Sequence, residues 1–226
     1  MKGLICTVSC SLLLVACGGG GGESSSTPTN PNQVFNLSKL EGRVQGTVYT
    51  ANVTGNDSNG NSITGTVSLK VAAARLQGRV MVVPQETVLN LTVGSTSPMS
   101  STTTSYLDAT TYDLNSIFTQ QSRVTCTSTS PDKLPTTVKV GDSGIRSPLT
   151  CDSGTTVASS YKVTSAGNDR INVITSTSIN QARNPQTTSN TTLTVDANGN
   201  IVGFSAKTVE LSAGYTQSYH SLSRAE

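Results

Sequence analysis

Residues 63–71 read ITGTVSLKV, and this stretch decides the fold class. Apolar or small residues alternate strictly with Thr, Ser and Lys, the period-two pattern of a strand with one buried face. A similar alternation, VQGTVYT, precedes it at residues 44–50, and the polar run GNDSNGN lies between them at residues 55–61. The Asn-Gly step in that run tolerates positive φ, so the two alternating runs predict a β-hairpin.

A near-copy of this unit lies close to the end of the chain. Residues 191–195 (TTLTV) lead through DANGN at 196–200 into IVGF at 201–204, and the DSNGN and DANGN turns match. Both turns are similar to the start of a calcium-binding EF-hand loop, which needs Gly at its sixth position and Glu at its twelfth. Neither residue stands there in either copy, so hairpin turns account for both and the sequence predicts no calcium site.

The rest of the chain carries more short apolar runs, most of them ended by Pro, Gly or polar residues. They lie at residues 79–83, 87–93, 124–126, 138–140, 161–163, 171–174 and 209–211. Residues 106–118 fit either a short helical face or a strand with a polar outer side. We therefore predict an all-β protein: a single antiparallel β-domain of about ten short strands at residues 34–226, built as a sandwich or as a curved, barrel-like sheet.

The first residues have the character of an export signal. Met1 and Lys2 give a short charged start, and residues 4–16 are mostly apolar or small. A run of about 13 residues suits a signal peptide and is too short to cross a bilayer core of about 30 Å as a helix. Residues 1–16 are therefore predicted to be removed on export.

The tetrapeptide Leu14-Val15-Ala16-Cys17 resembles the lipobox of bacterial lipoproteins. The resemblance implies cleavage before Cys17 and a diacylglyceryl thioether on its sulfur, with a further acyl chain, such as palmitate, on its amine. In Gram-negative lipoproteins Asp after this cysteine commonly means retention in the inner membrane, and Gly18 here implies the outer membrane, facing the periplasm or the cell surface. The alternative is an ordinary secretory signal that ends on a cysteine by chance.

Residues 17–33 form the predicted tether. They are rich in Gly and Ser, then in Pro and Asn, a composition typical of a flexible linker that does not fold. A disordered segment of this length would lift the β-domain away from a membrane that holds the acylated Cys17.

Two cysteines remain after the predicted signal peptide and the lipobox are set aside. Cys126 and Cys151 have only each other to pair with, and an exported protein meets an oxidising compartment, so a disulfide is expected. Two buried free thiols are the alternative. A metal site is disfavoured because these cysteines and the single His220 supply too few soft ligands.

The charged residues exclude one class of partner. The formal net charge is +2, and Lys and Arg are scattered rather than clustered. Without a basic patch the chain is not expected to bind nucleic acid.

Residues 141–144, GDSG, resemble the nucleophile motif of chymotrypsin-like serine proteases. That motif continues with Gly and Pro, where this chain has Ile145 and Arg146. A catalytic triad also needs a histidine, and His220 follows Ser143 in the chain, whereas in that family the histidine comes first. A chance turn explains the match better than a hydrolase, and no cofactor motif is present.

These observations favour a non-enzymatic interaction or structural module of the cell envelope. Its expected partners are the membrane, through the lipid anchor, and an envelope protein. The alternative is a carrier that holds an apolar ligand or lipid inside a curved β-sheet.

Overall fold

The computed structural model describes residues 30–40, 43–130, 132, 134–181, 184–210 and 215–221. The predicted signal peptide, Cys17 and most of the tether lie outside the described residues. Within the described ranges the regular structure is entirely β, as the alternating runs predict.

The described residues hold sixteen strands, more than the ten or so short strands expected, and several exceed ten residues. The strands are β1 (Phe35–Asn36), β2 (Val48–Asp57), β3 (Ser62–Val71), β4 (Arg75–Gln77), β5 (Val80–Val93), β6 (Met99–Asp108), β7 (Leu114–Thr119), β8 (Val124–Ser128), β9 (Thr137–Val138), β10 (Ser143–Ile145), β11 (Leu149–Cys151), β12 (Thr156–Gly167), β13 (Arg170–Gln181), β14 (Asn184–Val195), β15 (Ile201–Glu210) and β16 (Tyr215–Ser221).

Twelve of these strands form a closed antiparallel barrel. Their order around the wall is β12-β11-β8-β7-β6-β5-β3-β2-β16-β15-β14-β13, and β13 pairs back with β12. The closing pair runs without a break from Thr156 opposite Asn180 to Ser165 opposite Ile171. Between the two architectures that the sequence leaves open, the structure is a barrel, because both edges of the sheet are joined.

The two matching hairpin turns, Asp57–Asn61 and Asp196–Asn200, are called the twin turns below. The first joins β2 to β3 and the second joins β14 to β15, as predicted. In each, the leading backbone N–H donates to the carbonyl of the closing asparagine at 3.0 Å. The glycines have φ of 82° and 75°, which a residue with a side chain adopts only with strain.

The ambiguous residues 106–118 are extended rather than helical. β6 ends at Asp108, whose carboxylate accepts hydrogen bonds from the N–H groups of Thr110 and Thr111, both at 2.8 Å. Tyr112 completes the turn with a positive φ of 60°, and β7 begins at Leu114.

A short ribbon fills one mouth of the barrel. We call β1, β9 and residues 37–40 the plug, and the mouth that it fills the plug end. Phe35, Leu37 and Val138 are completely or almost completely buried. They pack with Leu40 against inward-facing residues of β12, β13 and β14: Val163, Ile171, Val173, Leu193 and Val195. The diameter of a barrel grows with its number of strands, and an eight-stranded barrel is just narrow enough for its own side chains to fill. A twelve-stranded barrel has a wider mouth, which the side chains of the wall alone do not fill.

The plug reaches both sides of the barrel. On the side away from β13, the buried Gln85 amide of β5 donates a hydrogen bond to the carbonyl of Leu40 at 2.9 Å. At this same end β3, β6 and β14 finish while β2, β7 and β15 begin. The second twin turn therefore lies beside the plug, and the first lies at the opposite end.

The segment between β8 and β11 carries β9 across the plug end. Within it the buried carboxylate of Asp132 pairs with the guanidinium of Arg146 at 3.1 Å. Asp132 also accepts the N–H of Ser147 at 3.1 Å, and its own carbonyl accepts the N–H of Leu114 at 2.7 Å. These contacts hold the crossing segment against the start of β7.

Candidate functional site

The two cysteines of the β-domain are brought together. Cys126 on β8 and Cys151 on β11 lie directly opposite each other, with their sulfur atoms 2.01 Å apart in a disulfide. The bond closes the crossing segment that carries β9 to the plug. Cys17, the predicted lipid site, lies outside the described residues.

Ser143 and His220 are not brought together. Ser143 is exposed on β10, opposite Lys162 of β12. His220 is exposed on β16, opposite Thr54 of β2. Strands β12 to β15 separate the two along the shorter way around the wall, so the histidine is not placed to take a proton from the serine.

The twin turns use their carboxylates internally. In the first, Asp57 Oδ1 accepts the N–H groups of Asn59 and Asn61 at 2.9 and 2.8 Å, and Oδ2 accepts the Asn61 side-chain amide at 2.8 Å. The second turn repeats these three bonds at 2.9, 2.8 and 2.9 Å. The Asn61 side chain is the main cause of a lowered pKa of Asp57, with further bonds from backbone N–H groups and from the Tyr215 hydroxyl. Oxygens that already accept these donors explain the turn without an ion.

No three His, Cys, Asp or Glu side chains converge as a metal site within the described ranges. The other chemistry of interest lies at the plug end, where a small open pocket separates the plug from the barrel wall. Its volume is about 230 Å³, and its lining comes from three separate parts of the chain: Lys39, residues 47–49, and residues 200–201.

Lys39 is the cationic group of this pocket. Its ammonium donates a hydrogen bond to Asn200 Oδ1, and Asn200 in turn donates to Asp196. Burial acts to raise the pKa of Asp196, but the hydrogen bonds from Asn200 and Asn198 and the charge of Lys39 outweigh it and lower that pKa. The second twin turn thus ties the plug to the barrel through Asn200, which links the ammonium of Lys39 to the ionised carboxylate of Asp196.

Tyr49 of β2 also lines the pocket and is partly buried. Burial raises the pKa of its phenol, and a hydrogen bond with Ser221 acts in the opposite direction. The phenol is neutral near pH 7, so the pocket offers one ammonium, one phenol, one amide and the hydroxyl of Thr47, which donates to the carbonyl of Val44. These groups include no paired base and nucleophile. Its volume is below the range of about 300–1,000 Å³ usual for ligand pockets, so it suits a surface contact with an anionic or hydroxyl-bearing group better than an enclosed ligand.

The inward face of the barrel wall is closely covered and unusually polar. Thr103 lies opposite Thr87 and Thr119 on neighbouring strands, and Thr175 lies opposite Thr191. These positions and their neighbours have less than a tenth of their surface accessible: Gln85, Thr87, Ser101, Thr103, Ser105, Thr119, Thr175, Thr177, Ser189 and Thr191. A chamber around a bound lipid would leave such short side chains facing open space rather than covered by neighbouring atoms.

Exposed apolar side chains concentrate at the plug end. Of the eight large hydrophobic residues that are exposed among the described residues, seven lie there and only Ile145 lies on the side wall. The seven are Val34, Val44, Val48, Leu76, Val80, Met81 and Val202, called the plug-end apolar surface below. Elsewhere the outward positions of the wall are mostly Ser, Thr, Asn and Lys, so this end differs in character from the rest of the surface.

Sequence reasoning did not single out this end. Lys39, Tyr49 and Asn200 are far apart in the chain, and only barrel closure brings them together. One local signal was present: residues 76–81 (LQGRVM) place apolar side chains around a glycine turn without the alternation of a half-buried strand.

No protein-family model, curated protein sequence or solved structure matches this chain. In the ranges that the structure describes, we find no helix with the length and apolar character needed to traverse a bilayer.

Proposed function

We propose that this protein is a lipid-anchored, non-enzymatic module of the bacterial outer membrane that acts through its outer surface. The anchor is the acylated Cys17, and residues 17–33 are the tether. The β-domain faces the periplasm or the cell surface, and its contacts are made with the membrane and an envelope protein.

The observation that carries the proposal is the contrast between the covered Ser and Thr side chains of the inward face and an apolar end. The plug occupies one mouth of the barrel, and the inward Ser and Thr side chains are covered. The plug-end apolar surface is instead open to solvent, and concentrated apolar exposure of this kind marks interaction sites on proteins that otherwise carry polar surfaces. A module of this design acts through its outer surface, above all through the plug-end apolar surface.

The anchor is tested by comparing the wild-type chain with Cys17→Ser in cells. We expect the wild type in the outer-membrane fraction with the mass of a diacylglyceryl-modified N-terminal cysteine. The variant should move to the soluble envelope fraction. A wild-type protein that is exported without acyl chains would overturn the anchor.

A carrier of an apolar ligand is the second candidate, and the closed twelve-strand wall favours it, since a ring of this size is wider than an eight-stranded one. Native mass spectrometry of gently purified protein separates the two functions. Stoichiometric lipid that stays bound after the acyl anchor is accounted for would favour the carrier. The bare chain mass would favour the surface module.

A further inference from the structure

The hairpin formed by β4 and the start of β5 projects from the plug end. Residues 75–81 are all exposed, seven in succession, before Val82 returns to the core. Leu76 lies opposite Met81, and Gln77 lies opposite Val80 across a two-residue turn. Gly78 takes the first central position with φ of 64°, as a type II′ turn requires.

The apolar residues of this hairpin lie on both of its faces. Leu76 and Met81 share one face and are 65% and 47% exposed, while Val80 on the other face is 45% exposed. A hairpin that docks on a protein surface needs only one apolar face. Apolar side chains on both faces instead suit immersion in a fluid apolar medium.

The charged residues of the hairpin also suit a lipid bilayer. Residues 72–85 contain Arg75 and Arg79 and no acidic residue. Arginine beside an anionic lipid surface contributes about 1 kcal/mol, and its long stem lets the guanidinium stay among the headgroups while neighbouring side chains go deeper. Because Arg79 lies in the turn itself, the expected depth is the boundary between headgroups and acyl chains.

The short tether would also keep this hairpin near a bilayer, a step that rests on the proposed anchor at Cys17. Asn30, the first described residue, lies thirteen positions after Cys17 in the chain. At full extension they span no more than about 45 Å. Asn30 leads within five residues to Phe35 of the plug, so the end of the barrel that carries the hairpin is the end to which the lipid is tied.

We propose that the β4–β5 hairpin is a membrane-contact element, inserting Leu76, Val80 and Met81 into the interface of a bilayer that carries anionic phospholipid. It makes a second attachment beside the acyl anchor. The second attachment sets the orientation of the barrel, with the plug end towards the membrane and the first twin turn away from it.

The test uses the full-length protein purified from membranes and reconstituted in phosphatidylethanolamine vesicles with phosphatidylglycerol. Met81→Cys carries an environment-sensitive fluorophore, and Ile145→Cys, at a side-wall position that is 92% exposed, is the matched control. We expect a blue-shifted emission and quenching by a lipid-borne quencher for the hairpin label only. In the Met81→Cys background, Arg75→Gln with Arg79→Gln should lower the ratio of inserted to free label about fivefold per arginine.

Mass spectrometry of the same samples separates this inference from the proposed anchor. An acylated protein whose hairpin label stays in water would overturn the hairpin inference and leave the anchor standing. A protein without acyl chains whose label still enters the vesicles would do the opposite. Protection of the label without vesicles, increasing with protein concentration, would identify a second copy as the occupant and overturn the membrane contact.

Discussion

The buried hydroxyl of Thr103 offers a direct test of whether the barrel interior is packed or holds a polar guest. Thr103 lies on β6 with 0% of its surface exposed, and its Oγ1 has no hydrogen-bond partner among the described residues. Thr87 lies directly opposite on β5, and its Oγ1 is in the same state. We therefore choose Thr103→Val, which keeps the branched shape of the side chain and removes the hydroxyl.

The sign of the effect follows from the cost of an unpaired buried group. A hydroxyl buried without a partner costs about 1–3 kcal/mol, and an apolar group of the same shape removes that cost. Thr103→Val is therefore expected to raise the free energy of unfolding by about 1–2 kcal/mol. For a domain of this size each kcal/mol corresponds to about 2–4 °C in the unfolding midpoint.

The measurement is urea unfolding, supported by thermal unfolding, with the disulfide intact. Thr64→Val on β3 is the control, because Thr64 faces solvent and reports only the change in strand preference from Thr to Val. Thr87→Val and the double variant with Thr103→Val complete a cycle that isolates any coupling between the facing hydroxyls.

A loss of more than about 1 kcal/mol in Thr103→Val, with Thr64→Val unchanged, would refute the reasoning. It would mean that the hydroxyl has a partner in solution, either a bound water or a ligand. A double variant less destabilised than the sum of the two single variants would point to one partner, a water or a ligand, shared by both hydroxyls.

Three further outcomes are expected from unfolding measurements. Replacing Cys126 and Cys151 together by Ala should lower the free energy of unfolding by about 3 kcal/mol, because the unfolded chain regains the conformational freedom of a loop that joins residues 25 positions apart. A reducing agent should then lower the unfolding midpoint of the wild type but not that of the variant. Gly60→Ala and Gly199→Ala should each lower the free energy of unfolding by about 1–2 kcal/mol because both glycines have a positive φ. Gly199→Ala should lower it further, because its Cβ would lie 2.6 Å from the carbonyl oxygen of Asn36 in the plug. Equal decreases of the unfolding midpoint in the two variants would contradict that contact. In the first twin turn the side chain of Asn61 is the main cause of the lowered pKa of Asp57. The stabilisation that ionised Asp57 contributes is therefore present above the unfolded pKa of about 4 and is lost as the pH falls through the lower pKa of the folded state. Asp57→Asn should make the free energy of unfolding in urea decline less between neutral and acidic pH, and an unchanged decline would argue against the hydrogen-bond network of the turn.

Local features of the sequence were enough for the fold class and for the hairpins. Residues 63–71 alternate with period two, and only one phase of that alternation buries Ile63, Val67, Leu69 and Val71 on one face. The repeated Asp-x-Asn-Gly-Asn turns carry their own hydrogen bonds, so they form the same geometry at opposite ends of the barrel. The Cys126–Cys151 pair followed from elimination, which needs no structure.

Barrel closure and the plug were decided only by tertiary structure. The pairing of β12 with β13 is local, but the sheet becomes a barrel because β2 meets β16, which lies about 160 residues later in the chain. No periodicity encodes such a pairing. The run at residues 138–140 predicts a strand, but the two-residue strands β1 and β9 are too short to indicate that they pair with each other.

The same division applies to the functional surface. The lipobox is contiguous, so Cys17 could be read from the sequence as a predicted anchor. The plug-end pocket and the plug-end apolar surface are assembled from distant segments, and the exposure of a residue such as Val48 depends on what the remaining chain leaves uncovered. Composition and alternation determine which residues can be buried, but only the completed packing determines which apolar side chains remain at the surface and at which end they gather.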